Sequence, residues 1–162
     1  MTSNPDQGPQ NGVTPHLTIP DRRAAEALTF YKRAFGAEEA MPPMLAGDMP
    51  DMGSDGGEGG PKMTGDERIM HAHLRVNGGS LMLNDAFPEF VADKDRDTGR
   101  PAWTTMHLQV DDADRWFERA VGAGASATMP LADMFWGDRY GQLKDPFGFT
   151  WAIGGPIKGE KK

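Results

Sequence analysis

The sequence predicts an α+β fold in which two βαβββ modules form a cleft or partial barrel. The chain has 162 residues and nearly repeats itself, because Leu17-Thr18-Ile19-Pro20-Asp21 and Leu108-Gln109-Val110-Asp111-Asp112 open segments of the same kind. In each segment, a short alternating apolar run is followed by an acidic residue and a helix-like stretch. Solenoids and propellers have much shorter repeats, so this repeat indicates two copies of one small module.

The first module is expected over about residues 13–85, beginning with a strand over 13–19. Alternation places Thr14 and His16 on the polar face of this strand. Asp21 is expected to cap the following helix, and Gly36 to end it.

Two more strands complete the first module. Residues 69–76 alternate, with His71 and His73 on the polar face, and residues 80–83 form the return strand. Asn77-Gly78-Gly79 between them is typical of a tight hairpin turn.

The second module is expected over about residues 103–154. Thr105 and His107 lie on the polar face of its first strand, and Asp112 is expected to cap its helix. Three strands follow, at residues 128–129, 141–144 and 149–153. The turn Asp145-Pro146-Phe147-Gly148 separates the last two strands.

Three segments are expected to lie outside these elements. Residues 1–12 predict a disordered tail and residues 155–162 a flexible one. Residues 41–66 are rich in Met, Gly, Pro and Asp, and their glycine pairs argue against a regular element. This insertion is either a lid with adaptable methionines or a flexible segment without a role.

Composition excludes several classes of function. The net charge of −7 argues against nucleic acid or an anionic membrane as the main partner. The chain has no cysteine, which excludes disulfides and thiolate chemistry. Neither a signal peptide nor a membrane-spanning run is apparent, and a cytoplasmic location is expected.

Several motifs together resemble a known family. They are Phe30-Tyr31, Ile69-Met70-His71-Ala72, Leu81-Met82-Leu83, the run from Asp133 to Gly141, and the Asp-Pro-Phe-Gly turn. The chain resembles the vicinal oxygen chelate superfamily, which includes glyoxalases, dioxygenases and bleomycin resistance proteins, and within it the PhnB-like branch. The resemblance implies the glyoxalase/bleomycin resistance-like fold and a homodimer. It does not fix a reaction.

The resemblance also implies positions for a divalent metal. The first-strand ligands would fall near Thr14 and Thr105, and the last-strand ligands at Leu83 and Ala152. Leucine and alanine bind no metal, so no cofactor is expected. The alternative is a displaced divalent-metal site. Its ligands would be His16 and His107, with His71, His73 or Asp85 as the third.

Two functions therefore stand side by side. The first is binding of a small organic ligand without the usual metal, as in sequestration of an antibiotic or metabolite. The second is a metal-dependent lyase, isomerase or dioxygenase-like enzyme that uses the displaced histidine site. The residues expected to line the cleft are Thr14, His16, His71, His73, Trp103, Thr105, His107, Phe135, Trp136, Arg139 and Tyr140. For Arg139, an ion pair that holds a loop is the alternative to ligand binding.

Overall fold

A computed structural model describes residues 13–48, 63–90 and 104–159, except for the side chain of Phe90. The elements run in the order β1 (His16–Ile19), α1 (Ala24–Phe35), β2 (Glu38–Glu39), β3 (Met44–Leu45), β4 (Ile69–Val76), β5 (Gly79–Asp85), β6 (Thr105–Gln109), α2 (Ala113–Ala123), β7 (Ser126–Asp133), β8 (Asp138–Lys144) and β9 (Thr150–Pro156). This order confirms an α+β fold. The second module follows the expected βαβββ pattern, and the first has one additional short strand, β3.

The strands form two mixed sheets. The order in the first is β1-β5-β4-β2, with β3 also paired to β4, and the order in the second is β6-β9-β8-β7. In each sheet the first strand of the module pairs in parallel with the last, β1 with β5 and β6 with β9. The other pairs are antiparallel.

The described residues divide into two compact units. One contains residues 13–27 together with residues 38–86, and the other contains residues 28–37 together with the chain from residue 87 onward. The first four residues of α1 therefore belong to the first unit, and its last eight belong to the second. Neither described helix is long and apolar enough to cross a membrane.

The core of the second unit contains a cluster of aromatic rings. Phe35 lies 4.6 Å from Trp151 and Tyr31 lies 5.5 Å from it, measured between ring centroids. Phe30 lies 5.9 Å from Phe147. The α2 helix covers the same side of the second sheet, where Phe117 approaches Gly141 so closely that an added Cβ would lie 2.9 Å from its ring.

Local signals set most of the boundaries. Asp112 caps α2 by accepting a hydrogen bond from the Arg115 N–H. The turn at Asn77 and Gly78 has positive φ at both residues, as a tight hairpin requires. Gly36, with a φ of 62°, ends α1.

The expected cap of α1 was wrong. Asp21 has a φ of 59° and precedes a second residue in the same conformation. The first helical N–H, that of Ala24, donates instead to the Asp85 carboxylate at 2.9 Å. Asp85 was expected to begin a polar connection, but it is the buried last residue of β5.

Other boundaries also differ from expectation. The first strand begins at His16 and not at residue 13, while β7, β8 and β9 are longer than predicted. Part of the insertion at residues 41–66 is regular, because it contains β3 and a 3-10 helix at Ala46–Asp48. Residues 49–62 of that segment, and the tail at residues 1–12, lie outside the described residues.

Candidate functional site

The residues predicted to line a cleft fall into two groups, one in each compact unit. The first unit holds Thr14, His16, His71 and His73, and the second holds Thr105, His107, Phe135, Trp136, Arg139 and Tyr140. Trp103 lies outside the described residues.

The open face of the second sheet is built by strand register. Ala152 is paired with both His107 and Gln142, and Gly154 with both Gln109 and Tyr140. Residues that are paired across neighbouring strands point to the same face of a sheet. The side chains of β6 and β8 at these positions therefore share one surface, with only an alanine and a glycine of β9 between them.

Four rings form a continuous group on this surface. His107 and Tyr140 are stacked, with centroids 6.1 Å apart and planes at 15°. Trp136 meets Tyr140 edge-on at 5.6 Å, and Phe135 meets Trp136 edge-on at 5.0 Å. Phe135 is 98% exposed and Trp136 is 50% exposed. We name these four residues the ring cluster.

Two glutamines hydrogen-bond to two members of the ring cluster, His107 and Tyr140. Nε2 of His107 lies 2.9 Å from Oε1 of Gln109, and Nε2 of Gln142 donates to the Tyr140 hydroxyl at 3.0 Å. An amide oxygen only accepts, so the contact with Gln109 favours a proton on Nε2 of His107. Neither glutamine was among the predicted site residues, although alternation places Gln109 on the same face as His107. Strand alternation was the signal that pointed to them, since each lies two residues from a predicted site residue.

Arg139 lies apart from the ring cluster. Its guanidinium pairs with Asp114 of α2 at 2.8 Å and with Asp133 of β7 at 3.1 Å. Hydrogen bonds from Arg139 lower the pKa of Asp114, and those to Asp114 and Asp133 raise the pKa of Arg139. Arg139 neighbours Tyr140 in β8 and therefore points to the helix-covered face. These contacts form an ion pair that joins β7 and β8 to α2.

Three histidines share the polar face of the first sheet. The rings of His16 and His71 lie 6.1 Å apart, nearly perpendicular. Burial lowers the pKa of His71, and the neighbouring His16 and His73 add to this effect. His73 is only 1% exposed, and its Nε2 lies 3.0 Å from the Ser80 hydroxyl.

The residues present do not fit the divalent metal that the family implies. Leu83 and Ala152, at the last-strand ligand positions, are buried apolar side chains. Both carboxylate oxygens of Asp85 accept backbone hydrogen bonds, from Ala24 at 2.9 Å and Ile69 at 2.8 Å. Within residues 13–48, 63–90 and 104–159, no three His, Cys, Asp or Glu side chains group closely enough to hold an ion.

Comparison with known proteins identifies the family. A profile of the Glyoxalase/Bleomycin resistance protein/Dioxygenase superfamily matches residues 14–153. The Mycobacterium bovis protein Mb0911c is 39% identical over 150 residues, which cover 90% of this chain and 84% of that protein. The Escherichia coli protein YjdN is 28% identical over 148 residues, with coverage of 87% and 92%.

Solved structures share the fold. Protein PA1353 from Pseudomonas aeruginosa superimposes with a TM-score of 0.67 at 25% identity, covering 91% of this chain and 98% of that one. A PhnB protein from Bacillus cereus gives 0.60 at 22% identity, with coverage of 90% and 99%. The fosfomycin resistance protein FosX from Mesorhizobium loti gives 0.54 at 12% identity, with coverage of 92% and 95%. With the profile match over most of its length, the chain belongs to the glyoxalase/bleomycin resistance protein/dioxygenase superfamily.

Proposed function

We propose that the protein binds a flat, neutral, aromatic small molecule on the open face of the second sheet and sequesters it without chemical change. The single observation that carries this proposal is the ring cluster. It presents a half-exposed tryptophan and a fully exposed phenylalanine beside a stacked histidine–tyrosine pair. An antibiotic or a metabolite with an aromatic or polyketide-like surface has matching chemistry.

Physical chemistry favours stacking as the main source of affinity. Each exposed ring gains roughly 25 cal/mol for every Å² of apolar surface that a ligand covers. Aromatic pairs in offset or edge-on geometry add about 0.5–1.5 kcal/mol beyond that area. The hydrogen bonds of Tyr140 and His107 orient the rings before a ligand arrives, which lowers the entropy cost of binding.

The polar groups beside the rings favour an uncharged ligand. The histidine, the tyrosine and the two glutamines on this face offer hydrogen-bond donors and acceptors, and the guanidinium of Arg139 is engaged by Asp114 and Asp133. A carbonyl, amide or phenol on the ligand would satisfy these groups at its edge. The family description, which includes bleomycin resistance proteins, supports a small organic ligand.

A ligand screen tests the proposal. We expect members of a panel of neutral aromatic natural products to quench tryptophan fluorescence, with dissociation constants then measured by calorimetry. Trp136→Ala should weaken binding by about tenfold or more, which corresponds to about 1.4 kcal/mol. Arg139→Lys, a change outside the ring cluster, should alter affinity much less.

A second variant, at Gly154, changes the strand beneath the ring cluster instead of the rings themselves. A Cβ at Gly154 would lie 2.9 Å from Cε1 of His107 and 3.1 Å from Oε1 of Gln109. Both atoms are at the ends of side chains that can shift, so Gly154→Ala should fold and still bind less tightly. If no panel member changes the fluorescence, or if a mapped ligand lies away from the ring cluster, the proposal is wrong.

The proposal includes two further points from the sequence, a cytoplasmic location and a homodimer. The exposed edge strand β7 supports the dimer, because seven of its eight residues are exposed and an unpaired strand edge favours pairing with another chain.

A further inference from the structure

Two imidazoles on the first sheet lie at a distance that one metal ion can span. The ring centroids of His16 and His71 are 6.1 Å apart. A metal bound to an imidazole nitrogen at about 2.0 Å lies roughly 3 Å from the centre of that ring. An ion midway between the two centroids could therefore bind one nitrogen of each ring once both side chains turn those nitrogens toward it.

Two thioethers lie beside these imidazoles. Met82 of β5 is the register partner of His16, and Met44 of β3 is the register partner of His71. Paired residues of neighbouring strands point to the same face, and neighbouring strands lie about 4.7–4.9 Å apart. The methionine side chain is long and flexible, so each sulfur can approach the adjacent ring.

The ligand types select the metal. In the described part of the chain, no three His, Cys, Asp or Glu side chains come together, so a hard or borderline divalent ion lacks its usual ligand count. Thioether sulfur is a soft ligand that prefers Cu(I), and imidazole accepts copper as well.

We propose that His16, His71 and Met82, with Met44 beside them, form a binding site for a soft monovalent cation, Cu(I). This site lies within the first sheet and involves none of the ring cluster. It is thus independent of the small-molecule function proposed above, and either can fail without the other. It also differs from the displaced divalent site considered from the sequence, which needed His107.

An anaerobic titration of the full chain with Cu(I), in competition with the chromogenic chelator bicinchoninate, tests the site. We expect one equivalent to be withdrawn from the chelator. His16→Ala and His71→Ala should each lower the affinity at least tenfold. Met82→Leu, which keeps the volume and removes the sulfur, should lower it severalfold. Silver(I), a redox-inert probe, should shift the NMR signals of the same imidazoles and of the Met82 methyl group.

A matched variant separates this site from other methionines. Met129→Leu, in the second sheet, should leave Cu(I) binding unchanged. Far-ultraviolet circular dichroism checks that the histidine variants fold. The proposal is overturned if bicinchoninate retains all the copper, if folded His16→Ala and His71→Ala bind as tightly as the parent, or if Zn(II) displaces Cu(I).

Discussion

Asp145 concentrates four hydrogen bonds on one buried carboxylate. One oxygen accepts from the backbone N–H groups of Phe147 and Phe149, each at 2.9 Å, which closes the turn between β8 and β9. The other accepts from the Tyr31 hydroxyl at 2.7 Å and the Trp151 indole at 2.9 Å. The turn that carries the family resemblance is therefore also a structural link to α1. Burial and the Asp145 charge both raise the pKa of Tyr31.

Replacement of Asp145 should destabilise the protein strongly. Asp145→Ala leaves four donors without their acceptor, and a buried unsatisfied donor costs about 1–3 kcal/mol. We expect a loss of roughly 3 kcal/mol or more in the free energy of unfolding, measured by urea denaturation. Glu118→Ala, an exposed change on α2, should stay within about 0.5 kcal/mol. Equal stability of the two variants would contradict the role assigned to this carboxylate.

The ion pair of Asp66 predicts an acid-sensitive contribution to stability. Hydrogen bonds from Arg68 lower the pKa of Asp66 from 3.8 to about 2. Because the folded pKa is the lower one, the stabilisation is complete above about pH 4 and is lost as the pH falls toward 2. Asp66→Asn should therefore lower the melting temperature by a few degrees at pH 7, and the difference from the parent should shrink near pH 2. A difference that is the same at both pH values would argue against this assignment.

At the scale of elements, features that depend on neighbouring residues could be predicted from the sequence, whereas contacts between residues far apart in the chain could not. Alternation gave both polar faces, and Asp112 and the turn at Asn77 were predicted correctly because each acts on its immediate neighbours. The cap of α1 was missed because its carboxylate lies 61 residues away, on Asp85. The pairing of Arg139 with Asp114 could not be predicted either, since Asp114 is 25 residues distant and its position depends on how α2 packs.

Two glycines in the second unit predict opposite effects of the same substitution. A Cβ at Gly141 would lie 2.9 Å from the Phe117 ring and 3.0 Å from a backbone oxygen, that of Met129. Gly141→Ala should therefore cost about 1–3 kcal/mol through overpacking. Gly122, within α2, has no atom within 4 Å of an added Cβ. Gly122→Ala should instead stabilise by about 0.5–1 kcal/mol, because alanine favours the helix.

Thermal denaturation of the two glycine variants, side by side, measures both effects. Both variants replace a glycine of the second unit with alanine. Their stabilities should therefore differ only through helix propensity at Gly122 and steric fit at Gly141. A destabilised Gly122→Ala variant would show that α2 is less regular than described, and a stable Gly141→Ala variant would show that β7 can move away from β8.

At the scale of the whole molecule, we expect a dimer in solution. The strand β7 forms an edge of the second sheet and has an exposed methionine, Met129. Light scattering at micromolar concentration should give twice the chain mass of 17.6 kDa. The substitution Met129→Lys places a charge on the edge strand β7. If β7 lies in the dimer interface, this variant should shift the equilibrium toward the monomer. A parent protein of monomeric mass would refute the expectation.

The contact between Tyr31 and Asp145 has a consequence for synthesis on the ribosome. The two residues are 114 positions apart in the chain. Translation proceeds at about 5–20 residues per second, so the aromatic side of α1 emerges roughly 6–23 s before the strands that cover it exist. During that interval Tyr31 and Phe35 have no native partner in β9. Nascent chains that stall during this interval should therefore bind chaperones that recognise exposed aromatic residues. The chaperones should dissociate once Trp151 has been made.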